Sequence, residues 1–313
     1  MTRDAIVGGA IVDVLVVGAG PAGLSASIQL QRMGFKPLVL EKNRVGGLLR
    51  NARWVENFLG FPDGLAGKRL AALFERQARA QGVEVRKAVV TGVTREKNGF
   101  VVRAGRKRFR SRALVLATGT APRPLGVPGE KALAGKKLFY SVEEMPALKR
   151  GQARGWTLAV IGSGDIAFDY ALNLADQGIR VRLLLRGSKP KCIPRLRAAV
   201  GKHPRIAVYP HAVVRGLSSQ GHKALLEVAV NGRRQSMSVD RVLAAVGRQP
   251  CLDFLPRAWQ KRLRREGRAL EGVGLCLAGD ADANNFRHAG IAMGEGLRAA
   301  MFLGGFLSHA SSD

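Results

Sequence analysis

Two stretches of the sequence repeat one design: an apolar run, a glycine-rich turn, then an amphipathic run that stops at another glycine. The first reads Val14-Leu-Val-Val-Gly18-Ala-Gly20-Pro21-Ala22-Gly23, the second Leu158-Ala-Val-Ile-Gly162-Ser163-Gly164-Asp165-Ile166-Ala167. In a βαβ unit the first glycine permits a tight turn and the second lets the backbone approach a pyrophosphate. The third position lets the helix lie close to the strand. A glycine turn alone is common; the surrounding pattern gives it meaning. Leu24, Ala26, Ile28, Leu30 and Met33 follow the first turn, and Ile166, Phe168, Ala171, Leu172 and Leu174 the second. The two helical runs end at Gly34 and Gly178, where a new strand starts.

The copies differ at the residue that reads the sugar. Glu41 stands 23 residues after Gly18, and Arg186 stands 24 residues after Gly162. A carboxylate accepts hydrogen bonds from a ribose hydroxyl pair, whereas a guanidinium only donates and suits a 2′-phosphate. The first turn therefore predicts an unphosphorylated adenosine ribose. The second favours NADP, with NAD as the alternative. Two dinucleotide sites in one chain point to electrons passing from one cofactor to another.

The remaining composition narrows the class. With 313 residues the chain can build two domains with proper cores. No apolar run reaches the roughly 20 residues of a membrane helix. The apolar stretch from Ala5 to Leu15 runs into the first turn and reads as a strand, not a signal peptide, so no membrane and a cytoplasmic location are expected. Cys192, Cys251 and Cys276 form no CxxC, and His203, His211, His222, His288 and His309 show no metal-ligand spacing, so neither a disulfide framework nor a metal is expected. The net charge is +28, and residues 257–268, RAWQKRLRREGR, are densely basic. Such charge can steer an acidic partner; with no nucleic-acid fold motif beside it, nucleic acid is not expected.

The predicted fold is α/β, with two Rossmann-like dinucleotide-binding domains of three-layer ββα type, the second inserted in the first. Residues 12–41 form the first βαβ. A helix is expected over 68–81, a strand over 83–90, a small meander over 92–96, 100–104 and 107–111, and an apolar strand over 113–117. The Pro- and Gly-rich segment 120–129 reads as a linker and 247–250 as a second one. Further strands are expected near 206–209, 213–217, 224–230, 236–239 and 242–246. The segment 275–307 is too short to fold alone and should pack back on the first domain. The boundaries are then 1–122 with 248–313, and 123–247.

At this point the residues resemble the low-molecular-weight thioredoxin reductase family over nearly the whole chain. The resemblance rests on GAGPAG at 18–23, GG at 46–47, Val55-Glu-Asn-Phe58 with Gly60-Phe61-Pro62, and ATG at 117–119. It continues through GSGDIA at 162–167, VGRQP at 246–250, AGDA at 278–281 and Phe286-Arg-His-Ala289. It implies FAD in the first domain, NADPH in the inserted one, and a homodimer. Carried over by position, Gly18, Gly20, Pro21, Ala22 and Gly23 line the FAD pyrophosphate and Glu41 holds the adenosine ribose. Gly47, Leu48 and Asn57 lie near the flavin, and Gly119 near the cofactor at a strand end. Asp280, after Gly279, bonds the ribityl or pyrophosphate region, and Arg287, His288 and Ala289 approach the isoalloxazine. Lys42, Val89 and Thr118 are counted with the same cofactor. Gly162, Ser163, Gly164, Asp165, Ile166, Arg186 and Gly247 belong to the NADP site.

The departures are chemical. Where the family carries its redox CxxC, this chain reads Lys137-Leu-Phe-Tyr140-Ser141-Val-Glu-Glu144-Met145. Serine and glutamate cannot exchange disulfides. The family's two-arginine stretch is here Arg186-Gly-Ser-Lys189-Pro-Lys191-Cys192. The run Asp165-Ile-Ala-Phe-Asp169-Tyr170-Ala-Leu-Asn173-Leu174 looks closer to the thioredoxin-reductase-like ferredoxin–NADP reductases. The leading expectation is thus an FAD-dependent NAD(P)H oxidoreductase serving an external acceptor, an acidic carrier such as ferredoxin or flavodoxin. The alternatives are a disulfide reductase without an internal CxxC (Cys192 its candidate thiol), a reductase of small molecules such as quinone or oxygen, and a non-catalytic flavin- or nucleotide-binding sensor.

Overall fold

The computed structural model describes residues 11–146, 151–267, 269–270, 272–282 and 286–309. Residues 5–10 of the first apolar stretch lie outside them. The chain divides into two units, one of residues 1–50, 55–121 and 250–313, the other of residues 51–54 and 122–249.

The first unit starts with β1 (Val12–Val17), α1 (Pro21–Arg32), β2 (Pro37–Glu41), α2 (Gly67–Ala80) and β3 (Glu84–Lys87). A meander follows, β4 (Gly92–Glu96), β5 (Gly99–Ala104) and β6 (Lys107–Leu116). Val14 and Val16 of β1 face one core with Leu24, Ala26 and Leu30 of α1, while Leu15 and Val17 face the other with Phe100, Val102 and Phe109. Burial on both faces is what a continuous apolar strand at the centre of a parallel sheet requires.

The expected strands at 107–111 and 113–117 are one ten-residue strand. Its first half pairs antiparallel with β5 and its second half parallel with β1, and Ser111 has both Phe100 and Val12 as partners. Arg112 does not break it: the guanidinium pairs with Asp13 at 3.4 Å and donates to the Leu307 carbonyl at 3.2 Å. The expected strand 83–90 shortens to β3.

β7 (Thr120–Pro122) leaves this unit. The second unit then builds α3 (Glu130–Leu133), β8 (Leu138–Phe139), β9 (Thr157–Ile161), α4 (Asp165–Asp176), β10 (Arg180–Leu184), α5 (Pro194–Lys202), β11 (Ile206–Tyr209), β12 (Ala212–Gln220), β13 (Lys223–Val230), β14 (Arg233–Val239) and β15 (Arg241–Ala244). Its parallel sheet runs β11-β10-β9-β15-β8. Helices α4 and α5 cover one face through Phe168, Leu172 and Val200, and the antiparallel sheet β12–β14 covers the other through Val214, Leu226 and Val228. Residues 51–54 join this unit through Arg53, whose backbone N–H donates to Asp169 Oδ2 at 2.9 Å and whose guanidinium pairs with Asp176.

β16 (Arg248–Pro250) returns the chain and pairs with β7, so the two linkers form a two-stranded ribbon. The first unit is completed by α6 (Arg257–Glu266), β17 (Ala269–Leu270), β18 (Leu275–Leu277) and α7 (Ala289–His309). Its sheet runs β17-β18-β6-β1-β2-β3. β18 lies parallel beside β6, and Leu303 and Leu307 of α7 share a core with α1. The fold is the expected pair of ββα dinucleotide-binding domains, the second inserted in the first.

Candidate functional sites

In each unit the glycine turn lies at the carboxyl end of a central strand, flanked by β2 and β6 in one and by β10 and β15 in the other. These are the switch points where open α/β sheets bind ligands. Gly18 has φ +106, and a Cβ there would lie 2.3 Å from the Ala117 carbonyl oxygen. A Cβ on Gly23 would come within 1.9 Å of the Gly18 carbonyl oxygen, so α1 can pack this close only with glycine there. Gly20 differs: its backbone is extended (φ −75°, ψ −178°), and a Cβ there would meet nothing within 4 Å. The space before Gly20 and the free amides of the first turn of α1 form an open cradle at the positive end of a helix.

The second turn repeats the arrangement. A Cβ on Gly162 would lie 2.4 Å from the Ala245 carbonyl oxygen, and one on Gly164 would meet nothing. The third position is the buried Ala167, which this turn accommodates.

Several expected residues converge on the first cradle. Glu41 Oε2 accepts from the Ala19 amide and Oε1 from the Asn43 amide, both at 2.8 Å, which fixes the carboxylate at the end of β2. Gly46 donates to the Ala19 carbonyl at 2.8 Å, and a Cβ on Gly47 would lie 3.2 Å from the Gly20 Cα. A Cβ on Gly279 would lie 2.8 Å from that of Ala22, which brings the Gly279-Asp280 turn to the start of α1. Thr118, beside Gly18 at the end of β6, has a buried hydroxyl with no hydrogen-bond partner. An orphaned hydroxyl beside an open amide cradle suits a phosphate-bearing ligand. His288 and Ala289 open α7, where the His288 carbonyl accepts from the Ala292 amide at 2.9 Å. Gly119 accepts from the Cys251 amide at 3.1 Å. Lys42, Asn57, Val89 and Arg287 are exposed, and Leu48 is half-buried.

A cleft of about 280 Å³ lies beside Glu41, lined by Leu24, Ala78, Val83 and Val85 with Arg79 and Lys87 at its edge. Apolar walls and a fixed carboxylate suit a purine and its ribose. Sequence reading missed α2 and β3 as walls of this cleft; the apolar face of the 68–81 helix was the signal that could have found it.

At the second turn the segment after Arg186 folds back over the glycines. Lys191 donates its amide to the Ser163 carbonyl at 2.7 Å, and Ile193 donates to Asp165 Oδ1 at 2.8 Å. Arg186, Lys189 and Lys191 are exposed there, Ile166 is exposed, and Gly247 accepts from the Arg123 amide at 3.0 Å.

Two of the three thiols are poorly placed for redox work. Burial, with the Asp165 charge adding to it, raises the Cys192 thiol pKa; burial pushes Cys276 up to about 12. Both resist forming the thiolate that disulfide exchange needs. Among the described residues, no group of three or more His, Cys, Asp or Glu could hold a metal, and no helix is long and apolar enough to cross a membrane.

Residues 12–270 match the pyridine nucleotide-disulphide oxidoreductase family. The bifunctional thioredoxin reductase/thioredoxin of Mycobacterium leprae (strain TN) is 31% identical over 319 residues, covering 96% of this chain and 67% of that protein. NADPH-dependent thioredoxin reductase 3 of Arabidopsis thaliana is 29% identical over 311 residues; 94% of this chain is covered, and the chain spans 58% of that relative's length. The crystal structure of T. acidophilum thioredoxin reductase superposes with a TM-score of 0.79 at 26% identity, covering 94% of this chain and 98% of that one. The chain therefore belongs to the pyridine nucleotide-disulphide oxidoreductase family, as a thioredoxin-reductase-like flavoprotein oxidoreductase that uses FAD and NADPH.

Proposed function

We propose that this flavoprotein passes electrons from NADPH to a disulfide carried by a partner, not by its own chain: NADPH + H⁺ + RSSR → NADP⁺ + 2 RSH. The observation that carries the reading is the pair of open glycine cradles in a chain with no CxxC. The relatives are named thioredoxin reductases, which gives a disulfide acceptor more weight than the ferredoxin or flavodoxin with which the sequence reading led.

FAD would be held by the amides of Gly20, Pro21's neighbours Ala22 and Gly23, by Glu41 at the adenosine ribose, and by Thr118 and Asp280 beside the turn. When bound, it supplies a two-electron centre between nicotinamide and acceptor. The protein's own work is to bind, orient and exclude water. Gly164 and the start of α4 would take the nucleotide pyrophosphate, with Arg186, Lys189 and Lys191 at the 2′-phosphate. Glu143 and Glu144, at the place of the missing dithiol, leave no covalent relay inside the chain. A cytoplasmic homodimer belongs to the same reading, tested by sedimentation and fractionation.

The missing dithiol also favours a second reading, an acidic one-electron carrier as acceptor, which the +28 charge would attract. Anaerobic titration with NADPH, then NADH, tests the core of the proposal: flavin bleaching at low NADPH with NADH much weaker is expected. Reoxidation by a protein disulfide, compared with a ferredoxin and a quinone, then separates the acceptors. A bound flavin that neither nucleotide reduces would overturn the proposal.

A further inference from the structure

Helix α6 is built against its own local preferences. Its ten residues, RAWQKRLRRE, hold five basic side chains and one acid. Arg257 and Lys261, and Lys261 and Arg265, stand at i,i+4, where like charges repel and weaken the helix. No acid occupies the first turn, so Arg257 there opposes the helix dipole. Glu266 answers only at the far end, bonding Arg262 and Arg265 at 2.8 Å each.

The helix is held by its other face. Leu263 is buried, and Trp259 meets Phe100 of β5 edge-on at 5.8 Å. Alternation along the meander places Arg95 and Lys107 on the same side of the sheet as Phe100 and Phe109. Arg95 also reaches the Gly272 carbonyl at 3.5 Å, just past β17, on which α6 packs. Arg95, Lys107, Arg257, Lys261 and Arg265 are all exposed. A fold that keeps costly like charges together on one side is violating local consistency where a partner can repay it.

We propose that the exposed side of α6, with Arg95 and Lys107 beside it, is a docking surface for an acidic patch of a protein partner. Charge complementarity is the argument, and the size agrees. Ten helical residues span about 15 Å, the scale of one protein patch and not of an extended polynucleotide track. Phe100 lies opposite Ser111, at the amino end of the parallel strands. The glycine turn follows the carboxyl end of β1, about 17 Å further along at the rise of a strand. A partner held on α6 is thus tethered without covering the cofactor cradle, which raises its effective concentration. The inference does not depend on the redox group that the partner carries.

The test measures binding of an acidic plant-type ferredoxin, used as a protein probe, to the FAD-loaded protein at low and high ionic strength. R257E/K261E/R265E is compared with K223E/R233E/R234E, a charge-matched reversal at exposed positions of β13 and β14. The expected result is a loss of about tenfold or more in affinity for the α6 variant at low salt, a much smaller loss for the control, and convergence of all three at high salt. Equal losses in the two variants would show that net charge alone acts and would overturn the proposal, as would wild-type protein that does not bind the probe. So would a short DNA duplex that loses affinity on α6 reversal while ferredoxin does not. R257Q/K261Q/R265Q, which removes charge without reversing it, should give an intermediate loss of affinity with a melting temperature no lower than wild type, since the like charges repel; no loss of affinity there would also overturn it. Flavin reduction by NADPH should be the same in every variant, so failure of the docking surface is distinguishable from failure of the proposed reaction.

Discussion

Replacing the first and second glycines of the first cradle, Gly18 and Gly20, separates a structural role from a ligand role. Gly18→Ala forces a Cβ to 2.3 Å from the Ala117 carbonyl oxygen at φ +106, which L side chains avoid. Strained backbone costs about 1–3 kcal/mol and overpacking roughly as much again, so a loss of about 2–6 kcal/mol is expected, a large part of a normal folding free energy. Gly20→Ala puts a Cβ into open space from an extended backbone. There the entropy removed from the unfolded chain stabilises by about 0.4–1 kcal/mol. The weaker standing of Ala than Gly at an N-cap offsets part of that, and the net change stays within about 1 kcal/mol. The same methyl stands where the pyrophosphate must approach. Losing one amide-to-phosphate bond, about 1.5–3 kcal/mol for a charged partner, weakens FAD by about 10- to 150-fold. Thermal melts of the apoprotein and FAD titrations read by flavin fluorescence measure the two effects independently. If Gly20→Ala took up FAD within about threefold of wild type, or melted as low as Gly18→Ala, the cradle argument would fail.

Gly164→Ala should likewise leave the fold intact and weaken NADPH, read as a higher nucleotide concentration for half-bleaching of the flavin. Exchange of Arg186 and Lys191 for Gln should lower the preference for NADPH over NADH by about tenfold or more if those cations meet the 2′-phosphate; an unchanged ratio would count against that placement. Burial raises Asp169 to about 6, with the Arg53 amide and charge opposing and Asp176 adding. Because the folded value lies above the unfolded one, near 3.8, its stabilising contribution is full below about pH 4 and is lost as pH rises through about 6. Asp169→Asn, which keeps an acceptor for the Arg53 amide, should therefore raise stability by on the order of 2 kcal/mol at pH 7.5 and by little at pH 4. A destabilised variant at pH 7.5 would refute the sign. Cys192→Ser should leave turnover with a disulfide partner unchanged, and loss of turnover would restore the thiol to the mechanism.

Much of the first site was legible because its constraints are local. Gly18, Gly20 and Gly23 each answer to a contact or an open space set within one strand, turn and helix, and Glu41 lies at the end of the next strand. What lay beyond the sequence was set by distant packing. Residues 51–54 leave the first unit through Arg53, whose partners Asp169 and Asp176 sit more than a hundred residues on. The Pro- and Gly-rich linkers pair with each other as β7 and β16, a bond pattern that composition alone does not encode. Helix α5 was not among the expected elements; Pro194 stands in its first turn, where a proline is tolerated. Helix α6 was read only as a basic run, since just Trp259 and Leu263 mark its apolar face.

The charge and the thiols bear together on the acceptor. An internal dithiol would let the chain store two electrons and hand them on after the partner arrives. Here burial holds Cys276 up at about 12 and Cys192 is also raised, while the segment 137–145, where the resemblance places the CxxC, holds no cysteine. With no CxxC in the sequence, the proposed reaction makes the flavin the place where the two electrons wait between nucleotide and acceptor. The partner must then be reached by the reduced flavin itself, with no dithiol to carry the electrons outward, so a partner held nearby shortens the search. A basic helix that tethers an acidic partner away from the cofactor cradle meets that need, because it keeps the acceptor close while leaving the cradle open. Turnover should then depend on ionic strength through KM for the partner and hardly through kcat. A salt effect confined to kcat would place the electrostatics on an electron-transfer or domain-motion step and would detach α6 from partner capture.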